Sequence, residues 1–184
     1  MDNVVEVSLA PAGLRPRLLA FALDYLVMAA YLIVLTVASI VLARIAPALV
    51  ARLFDDRVSS QLTVILTLTL PITLYFALFE ASSWQATPGK RRLKLVVTDS
   101  RGQRLSLARS FARSVLKFIP WELAHTCIWQ VRFATDPSQS WPYNAGFILV
   151  WVLVGANVVS LWLSASRQTL YDRLAGTLVS KRNG

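Results

Sequence analysis

The sequence predicts an all-α membrane protein with four transmembrane helices and with both termini in the cytoplasm, and three observations support this fold class. First, 55% of the 184 residues are hydrophobic and only 16% are charged, whereas soluble domains carry about a quarter charged residues. Second, the apolar residues are gathered in long runs without any charge. Third, many of the basic residues behind the net charge of +9 lie in the segments between these runs, as in membrane proteins whose basic loops stay in the cytoplasm.

Three charge-free runs have the length of a membrane crossing. They contain 19, 22 and 30 residues and cover Tyr25–Ala43, Val58–Phe79 and Pro137–Ser166. A hydrocarbon core about 30 Å thick needs roughly 20 helical residues at about 1.5 Å each. We therefore predict crossings at about 18–43, 60–81 and 143–165, within a single membrane domain that covers 1–184.

A fourth crossing follows from the distribution of the basic residues. The central segment 82–113 has eight basic residues and one acidic residue, so we predict that it stays in the cytoplasm. The basic tail is predicted on the same side, which requires an even number of crossings. We therefore place a polar, proline-broken crossing at 114–131, which contains Pro120 and is tolerated when it packs against other helices. The alternative is a re-entrant or surface-lying segment there, with the tail outside.

The central loop 82–113 is predicted to contain a turn, a short β-like excursion and an amphipathic helix. "TPGK" is typical of a turn in which Pro88 fixes φ and Gly89 adopts a positive φ. "LKLVVTDSRGQRLSL" predicts two short strands that turn at Ser100–Gly102. Ser106 is predicted to cap the helix that begins with "LARSFARS".

The basic residues of this loop and of the following helix are predicted to lie among the cytoplasmic lipid headgroups. Each Lys or Arg near an anionic bilayer gains roughly 1 kcal/mol. Nucleic acid is not expected as a partner, because the basic stripe begins a membrane helix. The predicted lipid contacts are Lys90, Arg91, Arg92, Arg109, Arg113 and Lys117.

Several ionisable side chains fall within or beside the predicted crossings and are candidates for carrying ions or protons. An unpaired Asp in the middle of a membrane helix costs about 2.5–3.5 kcal/mol on insertion scales, so these side chains need partners or water. Burial also favours the protonated form of a carboxyl group, which suits proton exchange. The candidates are Asp24, Glu80, Glu122, His125 and Asp172.

The same residues also fit a purely structural role. Arg17 and Asp172 are predicted to pair across helices, and a buried pair of this kind can fix the register of the helices. Glu122 and His125 are three residues apart on one helix face, where they are able to satisfy backbone groups freed by Pro120. The residues by themselves leave both roles open.

No metal, cofactor or enzymatic centre is predicted. Glu122 and His125 form half of a di-metal carboxylate motif, but that site needs the Glu-x-x-His pair twice and the chain has one His. The single cysteine, Cys127, excludes an internal disulfide and a cysteine-cluster metal site. No Ser/His/Asp arrangement for hydrolysis is recognisable either.

A homo-oligomer is expected from the last predicted crossing. Ala156, Ser160 and Ser164 recur there every four residues, and small side chains at this spacing allow the close approach of another helix. The neighbouring helix belongs either to the same chain or to a second copy. Four helices are few for an enclosed pathway, which favours the second copy.

Three stretches carry a family resemblance. "RLLAFALD", then "TPGKRRLKLVV" with "DSRGQRLS", and finally "RQTLYDRLAGT" occur in this order between about Leu14 and Lys181. Together they resemble the RDD family of bacterial membrane proteins. That family is named for one arginine and two aspartates, which match Arg17, Asp24 and Asp172 of this sequence.

The resemblance implies a multi-pass protein of the bacterial inner membrane. Transport has been proposed for the family, including cation/proton antiport for some members. Two positions depart from the family pattern: Lys94 stands where the family usually has glycine, and Tyr171 stands where histidine often precedes the last aspartate.

Two functions are compatible with these observations. The first is a small transporter that exchanges protons for monovalent cations through intramembrane carboxylates. The second is a membrane module that transports nothing and serves as an assembly factor, or binds a protein partner or lipid through the basic loop. The expected partners are anionic membrane lipids, small cations, protons and a second copy of the chain. We favour the transporter, and an enzyme is not expected.

Overall fold

A computed structural model of the chain describes residues 9–134 and 141–182. The described helices are α1 (Leu14–Ile45), α2 (Pro47–Leu53), α3 (Arg57–Val64), α4 (Leu70–Ala81), α5 (Pro88–Arg92), α6 (Leu107–Arg132), α7 (Trp141–Leu163) and α8 (Leu170–Leu174). The described strands are β1 (Leu9–Pro11), β2 (Leu95–Asp99) and β3 (Thr177–Arg182). A π-helical turn, Ile65–Thr69, joins α3 to α4 in one continuous helix.

Three of these helices are long and apolar enough to cross a membrane. They span Leu14–Ile45, Arg57–Ala81 and Pro142–Leu163, in agreement with the three apolar crossings expected from the sequence. Many of their large apolar side chains point away from the protein, for example Ile33 and Val34 on α1, which are 65% and 66% exposed. Such a surface is suited to lipid, because water penalises exposed apolar area.

The predicted break at Pro120 is wrong, since α6 runs without interruption from Leu107 to Arg132 and contains that proline. Proline removes only one backbone donor, and contacts with α4 and α7 hold the rest of the helix in place. The predicted amphipathic helix and the predicted polar crossing are therefore parts of a single helix. Ser106 caps it as expected, because its hydroxyl accepts a hydrogen bond from the N–H of Arg109 at 3.3 Å.

A three-stranded antiparallel sheet lies at one end of the long helices, with β3 between β1 and β2. The sequence predicted a strand at β2 but paired it with the segment that follows it. The structure shows only one bridge there, Thr98 to Arg104, and β2 pairs with the tail instead. The tail strand β3 is the better partner because its inward-facing side chain, Val179, packs in the apolar cluster beneath the sheet. This cluster contains Ala12, Ala20, Leu95, Val97, Leu105 and Val179.

The sheet brings four helix ends together. β1 leads into α1, β2 lies between α4 and α6, and β3 follows α7. The beginnings of α1 and α6 and the ends of α4 and α7 therefore lie at the same end of the molecule, which we call the sheet end. At the opposite end, the far end, Arg57 donates a hydrogen bond to the carbonyl of Phe133 at 2.9 Å.

Candidate functional site: two carboxylate sites and an ion-pair chain

Asp24 of α1 is buried, with 1% of its surface exposed, and it is held by three neutral donors. The Tyr75 hydroxyl and the Gly89 N–H donate to Oδ1 at 2.9 and 2.8 Å, and the Thr87 hydroxyl donates to Oδ2 at 2.6 Å. Among residues 9–134 and 141–182 no Lys, Arg or His forms an ion pair with it. The polar contacts of this carboxyl group within these ranges are thus hydrogen bonds from neutral groups.

The segment that the sequence predicted as a turn is the short helix α5, and Gly89 has no positive φ. Glycine is required here for a different reason. A Cβ at this position would lie 2.2 Å from the carbonyl oxygen of Ala20 and 2.8 Å from Oδ1 of Asp24. Both distances are shorter than the contacts that non-bonded atoms make. The hydroxyl of Thr87 caps α5 by accepting from the N–H of Lys90 at 3.4 Å. The loop is therefore packed directly onto α1.

A continuous chain of ion pairs runs beneath the sheet, and we call it the ion-pair chain. Glu80 of α4 receives Lys90 on one oxygen and Arg113 on the other, both at 2.5 Å. Arg113 of α6 also donates to Oδ1 of Asp172 at 2.7 Å. Arg17 of α1 donates to the second oxygen of that aspartate at 2.6 Å. The chain links α1, α4, α5, α6 and α8, and it contains the predicted pair of Arg17 and Asp172.

Asp172 lies in α8, outside the apolar helices, and its environment strongly favours the charged form. Burial by itself raises the pKa of this carboxyl group, but the guanidinium groups of Arg113 and Arg17 lower it well below its usual range. The Thr169 N–H adds a hydrogen bond to Oδ2 at 3.3 Å. A carboxylate held in this way keeps its charge at physiological pH, which fits a structural role better than proton exchange.

The structure corrects the predicted lipid contacts. Lys90 and Arg113 are buried, with 7% and 1% of their surfaces exposed, because each holds a carboxylate of the ion-pair chain. Lys117 points inward as well, with its ammonium group 3.2 Å from the centre of the Phe76 ring. The other three predicted lipid contacts are exposed: Arg91, Arg92 and Arg109.

Glu122 of α6 forms the second carboxylate site, closer to the far end. The Thr69 hydroxyl donates to its Oε2 at 2.6 Å, and the amide of Gln61 donates to its Oε1. The imidazole Nδ1 of His125 lies 3.8 Å from Oε2. Gln61 lies four residues before the π-helical turn and Thr69 is its last residue. Both face α6, where they contact Glu122, and such turns are frequent at functional sites.

A cavity of about 210 Å³ lies beside this second site. It begins near Arg57 at the far end and reaches Gln61, the partner of Glu122. Two buried polar atoms of its lining residues, Gln61 Oε1 and Trp129 Nε1, have no hydrogen-bond partner within the described part of the chain, and neither has Nδ1 of His125 next to Glu122. Buried polar atoms are nearly always paired with protein or water, so the site has capacity for a polar ligand.

Lys117 lies at the level of the Asp24 site. The donors to Asp24 and Glu122 on the second apolar helix, Tyr75 and Thr69, are six residues apart, which corresponds to about 9 Å along the axis. The Lys117 ammonium contacts the ring of Phe76, which follows Tyr75, and lies 5.3 Å from the ring centre of Phe21 on α1. Two carboxylates and one amine are thus distributed along the interior of the helix bundle.

Several of these partners were not predicted as site residues. Tyr75 and Gln61 carry no sequence signal, since single polar residues in apolar helices are common. Thr87 and Gly89 belong to the "TPGK" stretch. A glycine next to a helix N-cap residue is a signal by which the sequence could have identified these two site residues.

Within residues 9–134 and 141–182 no group of three His, Cys, Asp or Glu side chains is arranged to hold a metal ion.

Two of the three small residues, Ser160 in α7 and Ser164 directly after it, are used within the chain. The Ser160 hydroxyl donates to the carbonyl of Gln168 at 3.0 Å, and the Ser164 hydroxyl lies 3.1 Å from that of Ser166. These contacts connect α7 to the tail that carries Asp172. The spacing of the small residues therefore gives no separate argument for a second copy, and the homo-oligomer stays a prediction.

The fold and the site define an α-helical membrane protein whose helix ends are joined by buried ion pairs under a small sheet. The chain belongs to the RDD family, whose family model matches residues 11–176. The matched region includes Arg17 and Asp172, which pair with each other, and Asp24, which is held separately. No curated protein and no solved structure matches the sequence.

Proposed function

We propose that this protein is a small transporter of the bacterial inner membrane that exchanges protons for monovalent cations at two carboxylates, Asp24 and Glu122. The observation that supports this role is that both carboxylates are held by neutral donors, while Glu80 and Asp172 are held by Arg or Lys. In a low-dielectric interior, a carboxylate without a fixed counter-charge attracts a mobile one. A proton and a small cation are the two candidates.

The five predicted pathway residues then divide into three groups. Asp24 and Glu122 act as carriers: a proton leaves the carboxyl group as a cation takes its place, so the site stays compensated in both states. His125 and the neighbouring cavity connect Glu122 to the far end. Glu80 and Asp172 belong to the ion-pair chain, which holds the helices in register and carries no ion.

A four-crossing topology fits this role. The apolar helix that ends in α4 and the apolar helix α7 both run toward the sheet. The chain between them has to return to the far end, and α6 is the helix that makes this return. Its 26 residues span about 39 Å, which is enough to cross a bilayer core. The sheet end carries the basic central loop, so it faces the cytoplasm.

Liposomes that contain the purified protein and an internal pH-sensitive dye test the proposal. Addition of external Na⁺ or K⁺ should make the lumen more alkaline as protons leave in exchange. Glu122→Gln and Asp24→Asn should each reduce the initial rate at least tenfold. Asp55→Asn is the matched control, because it removes an exposed carboxylate near the far end and should leave the rate unchanged.

Two results would contradict the proposal. A wild-type protein that gives no cation-dependent pH change with either ion is not an exchanger of monovalent cations. A Glu122→Gln protein that exchanges at the wild-type rate shows that this carboxylate is not a carrier. Size-exclusion profiles and thermal unfolding of each variant in detergent establish that the loss is not due to unfolding.

A further inference from the structure

An exposed, concave surface follows the cytoplasmic end of α4, and its lining residues are Trp84, Pro88, Arg91 and Arg92. We call it the Trp84–Arg92 surface; the concavity has a volume of about 710 Å³. Both arginines are exposed, and neither forms an ion pair with any residue in the described ranges. The surface therefore presents two positive charges that the protein itself does not compensate.

The arginines are held in place by the buried side of the same short helix. The N–H of Gly89 is bound to Asp24, and the ammonium of Lys90 is bound to Glu80. Arg91 and Arg92 follow directly and face outward. The Arg91 guanidinium lies 4.1 Å from the centre of the Trp84 ring, a cation–π contact that orients the side chain. A ligand would thus meet a largely preorganised site.

The position of this surface matches the depth of lipid headgroups. Trp84 lies three residues beyond Ala81, where the second apolar helix ends, and its ring stacks on Phe79 at 5.6 Å. Tryptophan is enriched at the membrane–water interface. About one and two turns before Ala81 in the same helix, Leu78 and Leu74 are 54% and 37% exposed. The helix that leads into the Trp84–Arg92 surface thus carries exposed apolar side chains.

We propose that the Trp84–Arg92 surface binds the phosphate group of an anionic phospholipid from the cytoplasmic leaflet. The planar guanidinium groups of Arg91 and Arg92 match phosphate oxygens, and the acyl chains lie along Leu74 and Leu78. This adjacent apolar surface favours a lipid over a soluble phosphate. The proposal narrows the predicted lipid contacts to two arginines and holds whether or not the protein transports ions.

Native mass spectrometry of the purified protein in detergent tests the site. With phosphatidylglycerol added, wild type should retain bound lipid, and Arg91→Gln/Arg92→Gln should reduce the bound fraction at least fivefold. Arg101→Gln/Arg104→Gln is the matched control, because it removes the same charge from exposed positions at the turn after β2. The control should change the bound fraction less than twofold, and phosphatidylcholine should bind equally weakly to all three proteins.

Two outcomes would overturn the proposal. An equal loss in both double variants would show that overall charge, not this surface, attracts the lipid. Displacement of the lipid by inorganic phosphate or glycerol phosphate at similar concentration would show a site for a soluble phosphate. Trp84→Leu provides a second variant that keeps the charge; an unchanged bound fraction would exclude the aromatic residue from the site.

Discussion

Arg113 donates to Asp172 at 2.7 Å and thereby joins α6 to the helix of the C-terminal tail. The same guanidinium holds Glu80 at 2.5 Å, so one side chain connects three parts of the chain that are far apart in sequence. Removal of one partner from a buried ion pair leaves the other charge uncompensated, which is far more costly than the loss of an exposed pair.

Asp172→Asn should lower the free energy of unfolding by about 3–5 kcal/mol, since it leaves Arg113 and Arg17 without a counter-charge. Arg109→Gln is the control, because Arg109 is exposed and lies 3.5 Å from Asp99, and its loss should cost less than about 1 kcal/mol. Thermal unfolding in detergent measures both. Similar melting temperatures for the two variants would show that the buried chain does not stabilise the fold.

The stability of the wild type should depend on pH through Asp172. Its pKa is lowered in the folded protein from an ordinary value of 3.8, so the unfolded state binds a proton first as the pH falls. The contribution of the pair is therefore complete above the unfolded pKa and is lost as the pH falls through the folded pKa. The melting temperature should be steady between about pH 8 and 5 and decrease below about pH 4.

The same titration of Asp172→Asn provides the control for the pH dependence. This variant lacks the carboxyl group, so the part of the acid destabilisation that comes from this residue should disappear. The difference in melting temperature between wild type and variant should therefore shrink as the pH falls. A difference that stays constant down to about pH 3 would contradict the lowered pKa.

Gly89→Ala should destabilise the protein by about 1–3 kcal/mol, as overpacking in a filled interior does. The new Cβ would lie 2.2 Å from the Ala20 carbonyl oxygen, so α5 has to move away from α1 and weaken the hydrogen bond to Asp24. Gly155→Ala is the matched control, because a Cβ there meets nothing within 4 Å and alanine is the better helix former. A loss of melting temperature is expected only for the first variant.

Lys94→Gly should stabilise the protein by about 0.5–1 kcal/mol. Lys94 follows α5 with a φ of 56°, a left-handed conformation that glycine adopts without the steric cost of a Cβ. A positive φ at this position fits the glycine that the family resemblance implies here. Lys94→Ala separates the effect of φ from the loss of the side chain, since alanine keeps the strain. Equal melting temperatures for the two variants would refute the explanation.

The extent to which the sequence predicted the site differs from residue to residue. Arg17 and Asp172 were expected to pair, because a buried arginine and aspartate need each other. The sequence predicts a lipid contact for Arg113 and Lys90, because a basic residue near the end of a membrane helix gives the same sequence pattern whether it faces lipid or a carboxylate. Only the positions of the neighbouring helices distinguish the two cases.

The amino-acid sequence by itself determined the class of protein, three apolar helices and the family, because hydropathy and local motifs are properties of consecutive residues. The tertiary structure alone decided which carboxylates receive fixed positive charges and which receive neutral donors. Asp24 meets Thr87 and Gly89 across more than sixty positions of the chain, and Glu122 meets Thr69 across fifty-three. Such contacts depend on how the helices and the tail pack around each other, and no local pattern encodes them.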